Sequence, residues 1–392
     1  MPQHHRAPRS ATQPHERPTT AIQSQAPSGP TVAIPVMHAG ASQVPNGARP
    51  VTRGMTALVH SSDLQERIRM RALRLANRFR VIRTIDVAVA CFAERPFKAS
   101  LTAAQRAVRG MVKEELLRRY RTDRFQTVYG LTRKGVEWLE ARGIEASASV
   151  RRVSDMSNPE HRLWAQFLTL CCEVRGLKAH TEQELMQILA RGAGETTATV
   201  QGLLRVSVPM TRGARRLDLR PDAVAIEPDG VTWFEVDRSA RGADRAASLK
   251  ALVLAIGRQT QLDEPLRRVI VLTRTPRIDN RVRASLNALA LESQDFALTE
   301  GRRVLRPVGP GIYAVIRTEE KVLRDGRARL VDVCAGHVIV QPLPVWLPKV
   351  RLDGRDGHAC EGWFDENYLP YVRHAPMPAW PPPSSPLLPR GS

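Results

Sequence analysis

The chain has 392 residues, with 59 Lys and Arg against 39 Asp and Glu, a formal net charge of +20. Such a length has room for two or three domains with real cores, and such a charge is a statement about partners that favours nucleic acid. No apolar run approaches the roughly 20 residues a membrane span needs. The five cysteines are scattered, and no secretory signal opens the chain, so a cytoplasmic protein with no membrane partner is expected.

Residues 1–58 are rich in Pro, Ser, Thr, Ala, Gln and His without apolar periodicity, and are read as a disordered tail. Residues 59–145 read as the first folded unit. Asp63 is placed to cap an Arg-rich helix running to about Arg80, and Thr84 to start a shorter one that Pro96 stops. Ser100 is expected to cap a third helix whose Leu101, Ala104, Val108, Met111 and Leu116 recur at the spacing of one buried face. Its opposite face carries Arg106, Arg109 and Lys113. Two short strands follow, Arg119 to Arg121 and Phe125 to Leu131, and Thr132 caps a closing helix. Three helices and a two-stranded wing make a winged helix-turn-helix. In the DNA-binding reading the third helix offers Arg106, Arg109 and Lys113 to the major groove and its phosphates. The wing offers Arg119, Arg121 and Arg124 to backbone or minor groove. The bland alternative is a solvated basic face.

Residues 155–300 alternate helix and strand, which describes an α/β domain with a mixed sheet. A helix over Pro159 to Arg175 and a weaker strand-helix segment to about Leu189 lead to a Gly/Thr-rich loop. Two alternating runs then flank Pro228-Asp229-Gly230, a hairpin signal. With Asp229-Gly230 as the loop, Pro228 faces Val231 and Asp222 faces Asp237. Asp222, Glu235 and Asp237 then project from one side. Three carboxylates on one face repel unless a divalent metal, basic side chains such as Arg238, Arg241 and Lys250, or bulk water on a solvated hairpin face offsets their charge. A helix from Asp244, a buried strand from Arg268 to Thr273, a helix from Arg281 to Leu291 and a last strand at Phe296 to Leu298 complete the unit.

Residues 301–375 read as a small β-rich extension and 376–392 as a Pro-rich flexible tail. Cys334, His337, His358 and Cys360 meet the ligand count of a structural Zn²⁺ site, but only one residue separates His358 from Cys360 and no finger pattern flanks them, so zinc is not expected. No Gly-rich loop with Lys-Ser or Lys-Thr, no Gly-x-Ser-x-Gly elbow and no Tyr nucleophile backed by a His triad is visible.

Pro221-Asp222, thirteen residues before Glu235-Val236-Asp237, resembles the PD-(D/E)XK nuclease core. Its pairing with a preceding winged helix is similar to the plasmid replication-relaxation family, over about residues 65–275. The resemblance implies bacterial mobile-element proteins associated with plasmid DNA relaxation and mobilisation. It also implies Mg²⁺ on Asp222 and Glu235, with Asp237 a further ligand. The chain departs from the nuclease pattern by carrying Asp237 where the water-orienting Lys stands. Lys250 is the substitute from the next helix, and Glu182 or Glu184 an additional carboxylate.

The expectation is therefore a DNA-binding accessory protein that partners double-stranded DNA and assists a relaxase or replication protein. An active Mg²⁺-dependent endonuclease and a scaffold without DNA contact are the alternatives. A homodimer stays open, without support from a heptad repeat.

Overall fold

The computed structural model describes residues 60–121, 127–148, 159–192, 201–209, 214–237, 243–293, 300–324, 326–343, and, near the C-terminus, 371, 373, 377, 380–385 and 387. All of them fall in one compact unit, Arg53–Ser392. They fold as α/β, around a seven-stranded mixed sheet.

The helical unit comes first: α1 (Ser61–Phe79), α2 (Thr84–Phe92) and α3 (Phe97–Lys113), then strands β1 (Leu117–Arg121) and β2 (Thr127–Leu131), then α4 (Arg133–Glu140). Helix α2 is apolar nearly all round, and a helix without a polar face belongs inside; every residue from Ile85 to Phe92 is buried. Helix α3 starts one turn before the expected cap. Pro96 stands at its N-cap, and Ser100 lies within the helix, where its hydroxyl donates to the Phe92 carbonyl at 2.6 Å. Thr132 does cap α4, accepting from the Gly135 N–H at 3.0 Å. Strands β1 and β2 pair antiparallel, and Ile82, between α1 and α2, bridges to Tyr129 of β2.

The remaining elements are α5 (Pro159–Glu173), β3 (Lys178–Thr181), α6 (Glu182–Gly192), β4 (Leu204–Pro209), β5 (Ala214–Leu219), β6 (Ala223–Glu227), β7 (Gly230–Asp237), α7 (Ala243–Leu254), β8 (Leu266–Thr273), α8 (Pro276–Glu292), β9 (Arg303–Gly309), β10 (Ile312–Val322) and β11 (Ala328–Pro342). The sheet runs β3-β6-β7-β8-β11-β10-β9, parallel at β7/β8 and β8/β11 and antiparallel elsewhere. The β-rich stretch beyond residue 300 is thus continuous with this sheet through β11. Helix α8 begins at Pro276, not Arg281, because Thr275 caps it and proline suits a first helical turn. Strands β4 and β5 form a separate hairpin where a loop and a single long run were expected; Pro221, without an N–H, breaks that run before β6. The strand expected at Phe296 to Leu298 lies outside the described residues.

Strand side chains alternate between faces, and the sheet divides its core accordingly. Phe234, Val236, Ile270 and Leu272 meet α5 and, behind it, α1–α3. Val224, Trp233, Val269 and Val271 meet α7, α8 and β4. The helical unit therefore shares one core with a face of the sheet. Where it meets α5, Arg83 and Asp86 are buried, at 5 % and 0 % exposed. Asp86 accepts from the Arg83 N–H, Nε and Nη2 and from Gln166 Nε2 of α5, while Arg83 Nη2 also reaches the Leu163 carbonyl at 2.7 Å.

Residues 376–392 were expected to be a flexible tail, yet their described residues, with Tyr371 and Arg373 just before them, pack on this core. Tyr371 is fully buried, Arg373 pairs with Glu227 at 3.0 Å, and Trp380 lies against Tyr371 and under the Arg373 guanidinium. Ser384 donates its N–H to the Val174 carbonyl and Ser385 its hydroxyl to that of Cys91, so the tail touches the residue that follows α5 and also α2. Aromatic and cationic anchors outweigh the local flexibility that proline-rich composition suggested.

Candidate nucleic-acid interface

The α3 helix presents Thr102, Arg106, Arg109 and Lys113 outward, all exposed, while Leu101, Ala104, Val108 and Met111 are buried on the other side. The spacing of four, three and four residues keeps the polar stripe on one face, about 16 Å long at 1.5 Å per residue. Among the described residues, Arg106, Arg109 and Lys113 form no ion pair or side-chain hydrogen bond. Their neighbours differ. On α1, Arg69 pairs with Glu114 at 2.7 Å and Arg78 with Glu173 and Glu184 at 2.6 and 2.5 Å; Arg142, just past α4, pairs with Glu66. Those arginines serve the fold, and the α3 stripe is left facing solvent. Arg119 and Arg121 are exposed on β1, as is Arg118, which sequence reasoning did not single out; Arg124 lies outside the described residues.

The acidic hairpin differs in register from the expectation. Its turn is Pro228-Asp229, with Gly230 already in β7 and Glu227 opposite Gly230. Gly230 has φ +132°, and a Cβ there would lie 2.3 Å from the Pro265 carbonyl, so this position needs glycine. Asp229 is gripped by Arg268 at 2.9 and 2.5 Å. The pairing moves by two residues, placing Asp222 across from Glu235 rather than Asp237. A two-residue shift preserves the faces, so Asp222 and Glu235 still share one.

Their oxygens are already engaged. Asp222 accepts from His161 Nε2 at 2.8 Å and from the Val236 N–H at 2.6 Å, and Glu235 accepts from Trp233 Nε1 at 3.2 Å. Lys250 pairs with Glu292 of α8. The Asp237 side chain lies outside the described residues. Among the described residues no group of three or more His, Cys, Asp or Glu is arranged to hold a metal ion. Cys334 Sγ is 3.9 Å from His337 Nε2, while His358 and Cys360 are outside the described residues. The sequence carried no signal for His161.

Asp222 and His161 open on a cavity of about 1060 Å³, lined also by Arg80, Arg162, Glu182 and Arg220. Glu184 closes one side. Burial pushes its carboxyl up, but hydrogen bonds from Arg78 and Thr181 outweigh this and hold it below the ordinary carboxylate range. Burial lowers the neighbouring His180, a pull that Glu184 only partly offsets.

No family model, curated protein or solved structure matches the chain.

Proposed function

We propose that the chain binds duplex DNA through α3 and the β1–β2 wing, as an accessory protein of a bacterial plasmid or integrative element that assists DNA relaxation, replication or mobilisation beside a relaxase or replication protein. The observation that carries this reading is the α3 stripe: three cations in a row, exposed and without acidic partners, on a chain of net charge +20. The Ile82–Tyr129 bridge supports the winged-helix reading, because it ties the segment between the first two helices to the wing. Phosphates would replace the counterions now balancing the stripe, and their release drives binding.

A Mg²⁺-dependent nuclease on Asp222 and Glu235 is the weaker reading. Asp222 is held by His161 and the Val236 N–H, and Lys250 is tied to Glu292.

The test is fluorescence anisotropy on a labelled duplex across a salt series, with Arg106→Ala/Arg109→Ala/Lys113→Ala beside the wild type. If all three side chains meet phosphates, the slope of log K against log salt becomes shallower by about 2.7. Unchanged binding in a folded triple variant refutes the assignment. Supercoiled plasmid with Mg²⁺ or Mn²⁺, with and without Asp222→Ala/Glu235→Ala, tests the nuclease reading. Nicking by the wild type alone would establish it.

A further inference from the structure

The far edge of the sheet extends beyond the sheet itself. Strand β9 pairs with β10 only as far as Arg303–Arg317, and β8 pairs with β11 only from His337 onward. Past Thr318, where Gly301 and Arg302 still reach β10, the β10 and β11 strands continue alone. Glu319, Glu320, Lys321 and Val322 there oppose Val331, Leu330, Arg329 and Ala328. These four pairs give a two-stranded ribbon about 14 Å long before its turn. From Glu320 to Arg329 every described residue of it is exposed, including Val322 at 69 % and Leu323 at 42 %.

Its charge is segregated by face. Alternation puts Arg317, Glu319 and Lys321 on one side with their partners Val333, Val331 and Arg329, and Arg303 adjoins Arg317 there. The other side carries Glu320 and Asp332, the latter paired with Arg302 at 3.5 Å. Within the basic face the only acid on these strands, Glu319, is taken by Arg317 at 3.6 Å.

The cross-strand pairs are the telling feature. Lys321 stands directly opposite Arg329, and Arg303 directly opposite Arg317. Like charges in directly opposed positions destabilise a sheet, where opposite charges would contribute to it. Charges that only protect an exposed edge from pairing with other chains need no common sign and no common face. A row of like charges set side by side at a cost to the fold is suited to a polyanion that neutralises them. The half-buried Arg303 feels the same crowding: burial first, then Arg317 and Arg258, lower its pKa.

We propose that the β10–β11 ribbon is a second duplex-DNA contact, laying its Lys321–Arg329 face into a groove and between its flanking phosphates. The dimensions agree: strands lie about 4.8 Å apart in a ribbon, and the major groove, about 12 Å wide, admits a two-stranded ribbon. This rests on duplex DNA being the partner, as proposed above, but on a surface remote in sequence from α3.

The experiment is a salt series on a labelled 30-bp duplex with the full chain, comparing the wild type, Lys321→Ala/Arg329→Ala and the α3 triple variant. Thermal melting is measured in parallel. Loss of two phosphate contacts makes the ribbon variant's slope shallower by about 1.8 and weakens binding up to roughly 60-fold at 0.1 M salt. Its melting temperature is not lowered, since a like-charge pair has been removed. The reversal Lys321→Glu/Arg329→Glu weakens binding further. If the wild type binds and the α3 variant fails, but the ribbon variant keeps the wild-type slope, the ribbon inference is overturned and the α3 reading stands. If the wild type binds no DNA, both are overturned. Binding only to vesicles containing phosphatidylserine, lost in the ribbon variant, would reassign the ribbon to an anionic lipid surface and overturn its DNA role.

Discussion

Removing the carboxylate of Asp86 should loosen the joint between the helical unit and the sheet. Asp86 is fully buried and receives four donors, three from Arg83 and one from Gln166. Arg83 is itself only 5 % exposed, so in Asp86→Ala its guanidinium keeps a single described acceptor, the Leu163 carbonyl. Breaking a buried ion pair by deleting one partner costs about 3–5 kcal/mol, because the surviving charge stays desolvated. For the unit Arg53–Ser392, with an unfolding entropy of about 2.1 cal/mol/K per residue, that is a drop of roughly 4–7 °C in melting temperature. Urea unfolding followed by tryptophan fluorescence reads this directly, because Trp164 lies on α5 in the affected core.

A second variant separates charge from packing. In Arg83→Met/Asp86→Leu no unpaired ion is left, and replacing a buried pair with apolar groups is often close to neutral. The double variant should therefore be more stable than Asp86→Ala alone. A loss below about 1 kcal/mol in Asp86→Ala, or a double variant as unstable as the sum of its singles, would refute the view that this pair is a desolvated hub.

Three further outcomes are expected. Stability should fall as pH drops: His180 and His337 are both held below the ordinary histidine value by burial, so the unfolded chain takes up protons first, from about pH 6.5 downward. Glu184 is also depressed, so its contribution is present above the unfolded carboxylate value near 4.3 and is lost as pH falls through the lower folded value. Melting curves from about pH 7 down to about pH 3 test this, and stability that rises on acidification would contradict it. Arg373→Ala should cost at most about 3 kcal/mol, because the buried Glu227 loses this partner and keeps Arg268 at 3.7 Å and the Thr232 hydroxyl, and should render the C-terminal segment sensitive to limited proteolysis. Among the four described cysteines only Cys334 is exposed; burial pushes the thiols of Cys91 and Cys171 up to about 12 and that of Cys172 well above its usual value. A thiol reagent at pH 8 should therefore label the native protein at Cys334 before these three, and Cys334→Ser should remove that fast phase.

Periodicity made much of this protein legible. The apolar rows of α3 and α5, the unbroken run of β8 and the cap at Thr132 are local patterns, and each led to the observed element. The α3 stripe was readable for the same reason: a helix repeats every 3.6 residues, so burying Leu101, Ala104, Val108 and Met111 turns Arg106, Arg109 and Lys113 outward whatever surrounds them. Hairpin register was not readable. Pro228-Asp229-Gly230 offers two adjacent turns of equal local quality. The choice was made by the Pro265 carbonyl pressed against Gly230 and by the Arg268 guanidinium holding Asp229, contacts from 35 and 39 residues away. Nor could local pattern reveal that Asp86 lies inside the core, that His161 claims Asp222, or that Lys321 and Arg329 stand side by side. Those facts belong to pairs far apart in the chain, and only the packed fold decides which distant residues become neighbours.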